Sequence, residues 1–465
     1  MSIEDVPNTA GLSAEEVELL AYLLDQEGVD ASQRQIILPR DQHAERQLSF
    51  AQERLWFLDQ WLPNDPTYII PVAISLRGPL DIAALRRSLD TITRRHESLR
   101  TTFRAGTGDP VQVVAEAGAS APAMPLIDLQ GLPTTQRAAT TQHLAWLEAR
   151  RPFDLTHGPL LRTTLLRLQP TEHVFLLIVH HIIFDGWSLG VFFRELTVLY
   201  AAFSTGRSAQ LPALPIQYAD FAIWQRRWLA GAADAATPSP LQTQLAYWRE
   251  RLRGLPVLDL PTDHPRPAVQ TFRGAHHAFQ LSHGLTNALI SLSQQTRVTD
   301  FMTLLAAFQV VLARYSGQTD IAVGMAIANR TLAEIEELIG FFVNTLVLRA
   351  DLAGNPTFST LLQQVCDVTL GAYEHQDLPF EKLVEHLHSD RDMSRTALFQ
   401  VMFALQNTEP KVPNLREVVA SVQQIDNGTA KFDLSLIIDE TAPQLTGMIE
   451  YNTDLFDPTT ITRLL

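Results

Sequence analysis

A single cysteine, Cys366, is all that the 465 residues contain, which excludes an internal disulfide and a thiolate-rich metal site. No metal is expected, and Cys366 reads as a buried apolar residue in a reducing compartment. Long apolar runs are also missing. The longest, Val174 to Val179 resuming at Ile182 to Phe184, is broken by histidines and is far too short to span a bilayer. The opening residues, MSIEDVPNTAGLSAEE, lack the basic region and apolar stretch of a signal peptide. A cytoplasmic location with no membrane partner is expected. Positive charge is in deficit: 36 basic against 51 acidic residues give −15, so the average surface field repels a phosphate backbone and nucleic acid is not an expected partner. What is present is ordinary globular composition, 46% hydrophobic and 19% charged, on a chain long enough for two or three domains or for paired lobes sharing one interface.

Residues 1–47 read as an N-terminal helix and connector. Ser13 and Glu16 have capping-box spacing, Val17, Leu20 and Leu24 share a helical face, and Gly28 can end the helix. Packing on the main body and docking of an upstream protein both fit this helix. A first lobe is expected over 48–228, with helical spacing at Ile82, Leu85, Leu89 and Ile92 and a strand in HVFLLIVHH. The Ala-, Gly- and Pro-rich stretch from Leu229 to Pro240 reads as a surface excursion opening an inter-lobe connector over 229–270. A second lobe over 271–465 contains helix-like FMTLLAAFQVVLARYSG, strand-like IAVGMAIAN and NTLVLRAD, and a helix-like run from Phe358 to His375. The fold class is therefore mixed α/β (α+β). At the end, Asp457 and Pro458 start a helix that stops after about two turns, so a piece of a larger multidomain protein is expected.

The segment IVHHIIFDGWS carries His180, His181, Asp185 and Gly186 as HHxxxDG, a pattern that composition alone would produce about once in a thousand such chains. Alternation along a strand puts His180 on the face of Ile178 and Leu176, and His181 on the face of Val179 and Leu177. Both faces are apolar, so a buried strand delivers two histidines to a loop. A neutral imidazole there has one donor and one acceptor and suits holding or exchanging a proton. Asp185 could orient a histidine as a triad acid does, but its place at a strand-to-helix turn favours a fixed ion pair. Gly186 is expected to supply backbone geometry or close approach denied to other residues, and Ser188 to cap the following helix rather than act as a nucleophile.

HHIIFDGWS resembles the signature of nonribosomal peptide synthetase condensation domains, within the chloramphenicol acetyltransferase-like superfamily. Further segments resemble that family's motifs in the same order: SFAQERLWFL from Ser49, RHESLRTTF from Arg95, YADFAIW from Tyr218, IGFFVNTLVLR from Ile339, HQDLPFEKLV from His375 and RDMSRTALFQVMF from Arg391. Two departures stand out. Thr396 and Ala397 occupy positions where many members carry proline before Leu-Phe-Gln, and Asn329 precedes Arg330 where glycine is common.

The resemblance implies two acetyltransferase-like lobes in a V-shaped pseudo-dimer with a central tunnel. In it the amine of a carrier-bound acceptor attacks a donor thioester, each reactant tethered by phosphopantetheine, with no metal or bound organic cofactor. Carried over residue by residue, it makes His180, His181, Asp185 and Gly186 the catalytic motif, with His181 beside the attacking amine as general base or as hydrogen-bonding positioner. It pairs Asp185 with Arg330, places Asn344 in the tunnel region, completes the motif with Trp187 and Ser188, and matches Arg54 and Arg100 to recurring arginines. Expected partners are an upstream donor carrier protein or acyl-coenzyme A, and downstream peptidyl carrier and adenylation domains. A start at Met1 leaves a fatty acyl starter donor open, and Phe184, where small residues are common, is a candidate marker of a nonstandard donor. Three other readings stay open: a coenzyme A-dependent acyltransferase of the same superfamily, an epimerisation domain, and a noncatalytic recruitment platform.

Overall fold

In the computed structural model the described residues are 36–41, 45–106, 108–118, 123–231, 238–387, 392–406, 412–423, 425–441 and 444–465. The expected helix around Ser13 to Gly28 lies outside them. Chain contacts divide the molecule into two units, the first comprising Met1–Leu241, Arg330–Phe342 and Pro410–Asn427, the second Gln242–Asn329, Val343–Glu409 and Gly428–Leu465. Each lobe was expected to be continuous; the units are not. Two excursions from the second half of the chain belong to the first unit, because side-chain and strand pairing hold them there.

The strands are β1 (Ile69–Arg77), β2 (Thr101–Arg104), β3 (Val111–Val114), β4 (Leu126–Asp128), β5 (Leu161–Gln169), β6 (Glu172–His180), β7 (Gly274–Gln280), β8 (Asp320–Ile327), β9 (Asn344–Asp351), β10 (Val401–Gln406), β11 (Val419–Gln423), β12 (Leu434–Asp439) and β13 (Thr446–Asn452). The first unit holds a sheet ordered β11-β1-β6-β5-β4 and a small β2-β3 pair. β6 lies at its centre, antiparallel to β1 and β5. Its apolar run EHVFLLIVH is buried from His173 to His180 because both faces are covered. Phe175, Leu177 and Val179 enter one apolar cluster, while Val174 and Leu176 enter another with Ala145 and Leu166. β11 extends the sheet by pairing antiparallel with β1, from Ala73 opposite Gln423 to Arg77 opposite Val419.

The first unit's helices are α1 (Phe50–Trp61), α2 (Ile82–Arg95), α3 (Thr134–Arg150), α4 (Gly186–Phe203) and α5 (Tyr218–Ala230). α2 buries Leu85, Leu89 and Ile92, as its 3.6-residue spacing requires. α5 runs through Leu229, which is buried, and ends where Gly231 turns to φ 70°. The supposed excursion therefore begins later than expected, because alanine continues a helix and the left-handed glycine ends it.

The second unit is a six-stranded mixed sheet ordered β7-β13-β12-β10-β8-β9, with β10 parallel to both β8 and β12. The apolar run FMTLLAAFQVVLARYS forms a helix over Asp300–Ser316, capped by Thr299 and closed by left-handed Gly317. The run from Phe358 forms a helix to Glu374. Among the described residues no single helix is long and apolar enough to cross a membrane.

Candidate active site

β6 ends at His180, and a single tight turn over His181–Ile183 leads to α4. The break sends the two histidines apart. His180 is buried, accepts the Ile182 N–H on Nδ1 at 3.2 Å, and meets the ring of Phe153 edge-on with centroids 6.0 Å apart. His181 is half-buried, and its Nδ1 lies 2.8 Å from the Phe184 carbonyl oxygen. A carbonyl can only accept, so Nδ1 carries the hydrogen, and in the neutral ring Nε2 carries the lone pair. The ring of Phe341 stands against His181 at 4.9 Å between centroids, tilted by 64°.

Asp185 is the N-cap of α4, and its Oδ1 accepts the Ser188 N–H at 2.8 Å and the Ser188 hydroxyl at 2.7 Å. Ser188 is therefore not the cap: it is the third helical residue, whose N–H the aspartate satisfies. Oδ2 accepts the Phe342 N–H at 3.0 Å, and one nitrogen of Arg330, Nη2, lies 3.1 Å from Oδ1 and 3.3 Å from Oδ2. Both side chains are essentially inaccessible, at 1% and 0% exposure, so the charges are compensated by each other and by hydrogen bonds within the protein rather than by water. Burial pulls the Arg330 guanidinium below its ordinary pKa, opposed chiefly by the Asp185 charge. Arg330 also donates to the Leu338 carbonyl at 2.8 Å and covers the Phe342 ring at 4.1 Å. The expected ion pair is thus present, at the start of the helix that follows the two histidines. It ties the turn to the Arg330–Phe342 excursion.

A family model of the condensation domain matches residues 42–465. The chain belongs to the condensation-domain family. It is similar to a linear gramicidin synthase of Brevibacillus parabrevis, with 48% identity over 464 residues, covering 99% of this chain and 9% of that protein. It is also similar to the phosphinothricin tripeptide synthetase PhsC of Streptomyces viridochromogenes, with 44% identity over 421 residues, covering 90% of this chain and 38% of that protein. The chain therefore spans well under half the length of these curated relatives. Among solved structures, the X-domain from teicoplanin biosynthesis aligns with TM-score 0.81 and 29% identity, over 92% of this chain and 94% of that one. These relatives place the chain among nonribosomal peptide synthetase condensation domains, with the acetyltransferase-like fold that the sequence resemblance implied. As a class, such domains are acyltransferases that form amide bonds.

In this condensation domain the remaining motif residues take different places. Gly186 is exposed, has no left-handed φ, and an added Cβ would meet nothing within 4 Å. Backbone geometry therefore does not demand glycine there, and the chain leaves open space beside it. Phe184 is wholly buried, its ring packed on Phe192 with centroids 6.4 Å apart. Its side chain belongs to the core. Trp187 is exposed and donates its indole N–H to the Glu336 carbonyl at 2.9 Å. Asn344, in the second unit, donates to the Gln376 and Leu378 carbonyls and accepts the Phe380 N–H, at 2.7 to 3.0 Å, so its whole amide braces the HQDLPF turn. Arg54 is half-buried on α1. Arg100 donates to the Ala115 carbonyl, and burial lowers its pKa against the raising influence of Glu97. Asn329 stands at φ 53°, a left-handed conformation that glycine adopts without strain and asparagine tolerates. Phe341 escaped the sequence reading. It sits inside the quoted IGFFVNT motif, but nothing local to that string indicates contact with a histidine 160 positions away.

Proposed function

We propose that this condensation domain joins a thioester-bound acyl or peptidyl donor to the amine of a carrier-bound acceptor amino acid, both substrates arriving on phosphopantetheine. The observation that carries the reading is His181: a half-buried imidazole whose Nδ1–H is held by the Phe184 carbonyl and whose Nε2 therefore accepts. The acceptor nitrogen attacks the thioester carbonyl carbon, the C–N bond forms, and the C–S bond breaks. As base, Nε2 takes the proton that the amine loses and the departing thiolate receives it; as positioner, Nε2 only accepts the amine's hydrogen bond and that proton goes to the thiolate directly. Holding two tethered reactants together supplies much of the rate, so the histidine need contribute only a modest share, as base or as positioner of the amine. Asp185 and Arg330 serve architecture.

The proposed partners are an upstream donor carrier, a downstream peptidyl carrier and an adenylation domain in a cytoplasmic synthetase. The test offers the domain acyl-carrier, peptidyl-carrier and acyl-coenzyme A donors separately with an aminoacyl carrier, and detects amide product by intact mass. Product from the carrier-bound donors supports the reading; product from acyl-coenzyme A alone reassigns the domain to starter acylation. Loss of stereochemistry without amide formation would make it an epimerase. His181→Ala is expected to slow amide formation by roughly a hundredfold or more while leaving the unfolding midpoint in place. Unchanged product formation by that variant overturns the role of His181. A second reading rests on the X-domain from teicoplanin biosynthesis, which is solved in complex with OxyB. By that likeness the chain would be a recruitment platform, and a wild-type domain that binds a partner enzyme yet forms no amide from any donor would establish it.

A further inference from the structure

Ile339, Gly340 and Phe342, all buried, and the half-buried Phe341 form a strap with no helical or strand structure, so their backbone groups have no ladder to satisfy them. Five side chains from three other segments do so instead. The Ile339 N–H donates to His96 Nδ1 at 3.3 Å, and the Ile339 carbonyl accepts from the Ser98 hydroxyl at 2.6 Å. The Gly340 N–H donates to Ser188 Oγ at 3.0 Å, the Phe341 carbonyl accepts from Tyr218 at 2.6 Å, and the Phe342 N–H donates to Asp185. Since Tyr218 gives its proton to that carbonyl, its 2.8 Å contact with Ser49 is one in which the serine donates. Gly340 is required by this packing, because a Cβ there would lie 2.1 Å from the Tyr218 ring. The strap is clamped on all sides, and the side chain it presents at its centre is Phe341, against His181.

His96 is the member of this clamp that also reaches α4. It is 1% exposed, and because Nδ1 accepts from Ile339, its proton lies on Nε2 and is donated to Glu195 Oε2 at 3.0 Å. Glu195, on α4, also receives the Arg95 Nε–H at 2.8 Å. One imidazole thus joins the helix that starts at Asp185 to the strap that carries Phe341.

We propose that His96, held by Glu195, is a positioning residue that acts through the Ile339–Phe342 strap to set Phe341 against His181 and so aligns the imidazole. The idea rests on the amide-forming reading of the site, and two isosteric variants separate its contacts. His96→Asn keeps an acceptor where Nδ1 stands, and His96→Gln keeps a donor where Nε2 stands. In single-turnover amide formation with loaded carriers, His96→Leu is expected to lower the rate at saturation by roughly tenfold to a hundredfold, with the KM for either carrier unchanged. His96→Asn should recover most of that loss and His96→Gln should not; the double variant with His181→Ala should be no slower than His181→Ala alone. A saturating rate equal to wild type in His96→Leu, or equal recovery by Gln and Asn, overturns the proposal.

A second readout needs no activity. In protein carrying isotope-labelled histidine, the His181 ring resonance is identified by its loss in His181→Ala. Its ring-current shift should move in His96→Leu as it does in Phe341→Leu, and stay in place in His96→Asn. An unmoved resonance in folded His96→Leu also overturns the proposal. A wild-type domain that makes no amide while the resonance behaves as expected would instead count against the enzymatic reading.

Discussion

Two buried carboxylate–guanidinium pairs, one in each unit, invite comparison. Asp433 and Arg266 in the second unit meet as a fork: Nη1 lies 3.0 Å from Oδ1, Nη2 contacts Oδ2, and Nη1 has a further weak contact of 3.3 Å with the Ser394 carbonyl. Arg266 keeps 15% exposure, so water reaches it. Asp185 and Arg330 in the first unit have no fork and no water access: a single guanidinium nitrogen touches the carboxylate, whose remaining capacity caps α4, holds Ser188 and fixes Phe342. The fork is a brace between two segments. The other pair is a hub, with the charge shared among the helix start, the excursion and the turn that carries His181. A pair that spends its hydrogen bonds on third parties organises a site; a pair that spends them on itself secures a fold.

The comparison predicts unequal costs. Asp185→Ala should destabilise the domain by about 3 to 5 kcal/mol, since it strands a buried guanidinium and uncaps α4 together. Asp433→Ala should cost less, about 1 to 3 kcal/mol, because solvent still reaches Arg266. Denaturant midpoints measured side by side check both, and equal losses would break the distinction. Ser188→Ala sharpens it: removing the hydroxyl between Asp185 and Gly340 should cost about 1 to 2 kcal/mol and slow amide formation by more than that loss of folded protein explains. The smallest effect is one of pH. Burial acts to raise the Glu195 carboxyl, but the hydrogen bonds from His96 and Arg95 and the Arg95 charge outweigh it and hold its pKa below the ordinary value. A depressed folded-state pKa means that Glu195 stabilises the fold above the ordinary carboxylate range and loses that contribution as pH falls through the lowered value. The stability difference between wild type and Glu195→Gln, followed from neutral pH into acid, should therefore be flat and then shrink; growth toward acid would reverse the assigned sign.

Much of the fold is legible along the chain, because burial on one side of an element imposes a local period. The spacing of Ile82, Leu85, Leu89 and Ile92, and the unbroken apolar run of β6, announce their elements without tertiary information. The motif HHxxxDG likewise marks the candidate site. Its neighbours were less legible. Turn chemistry made Ser188 the cap, whereas Asp185 caps α4; that Gly186 stands beside open space and Phe184 in a packed aromatic core is likewise decided by what surrounds them. Asp433 carries no motif at all, and its pairing with Arg266 emerges only from packing.

By itself, then, the sequence determined the element types, the place of the HHxxxDG motif at the end of an apolar strand, and, through ordered motifs, the family. Tertiary structure alone decided which histidine meets Phe341, which nitrogen of His181 bears the proton, and that Ile339–Phe342 closes over the first unit. The reason is physical. Periodicity records whether a residue is buried, whereas a hydrogen bond between positions 96 and 339 depends on closing a loop of more than two hundred residues, and no local pattern encodes where such a loop returns.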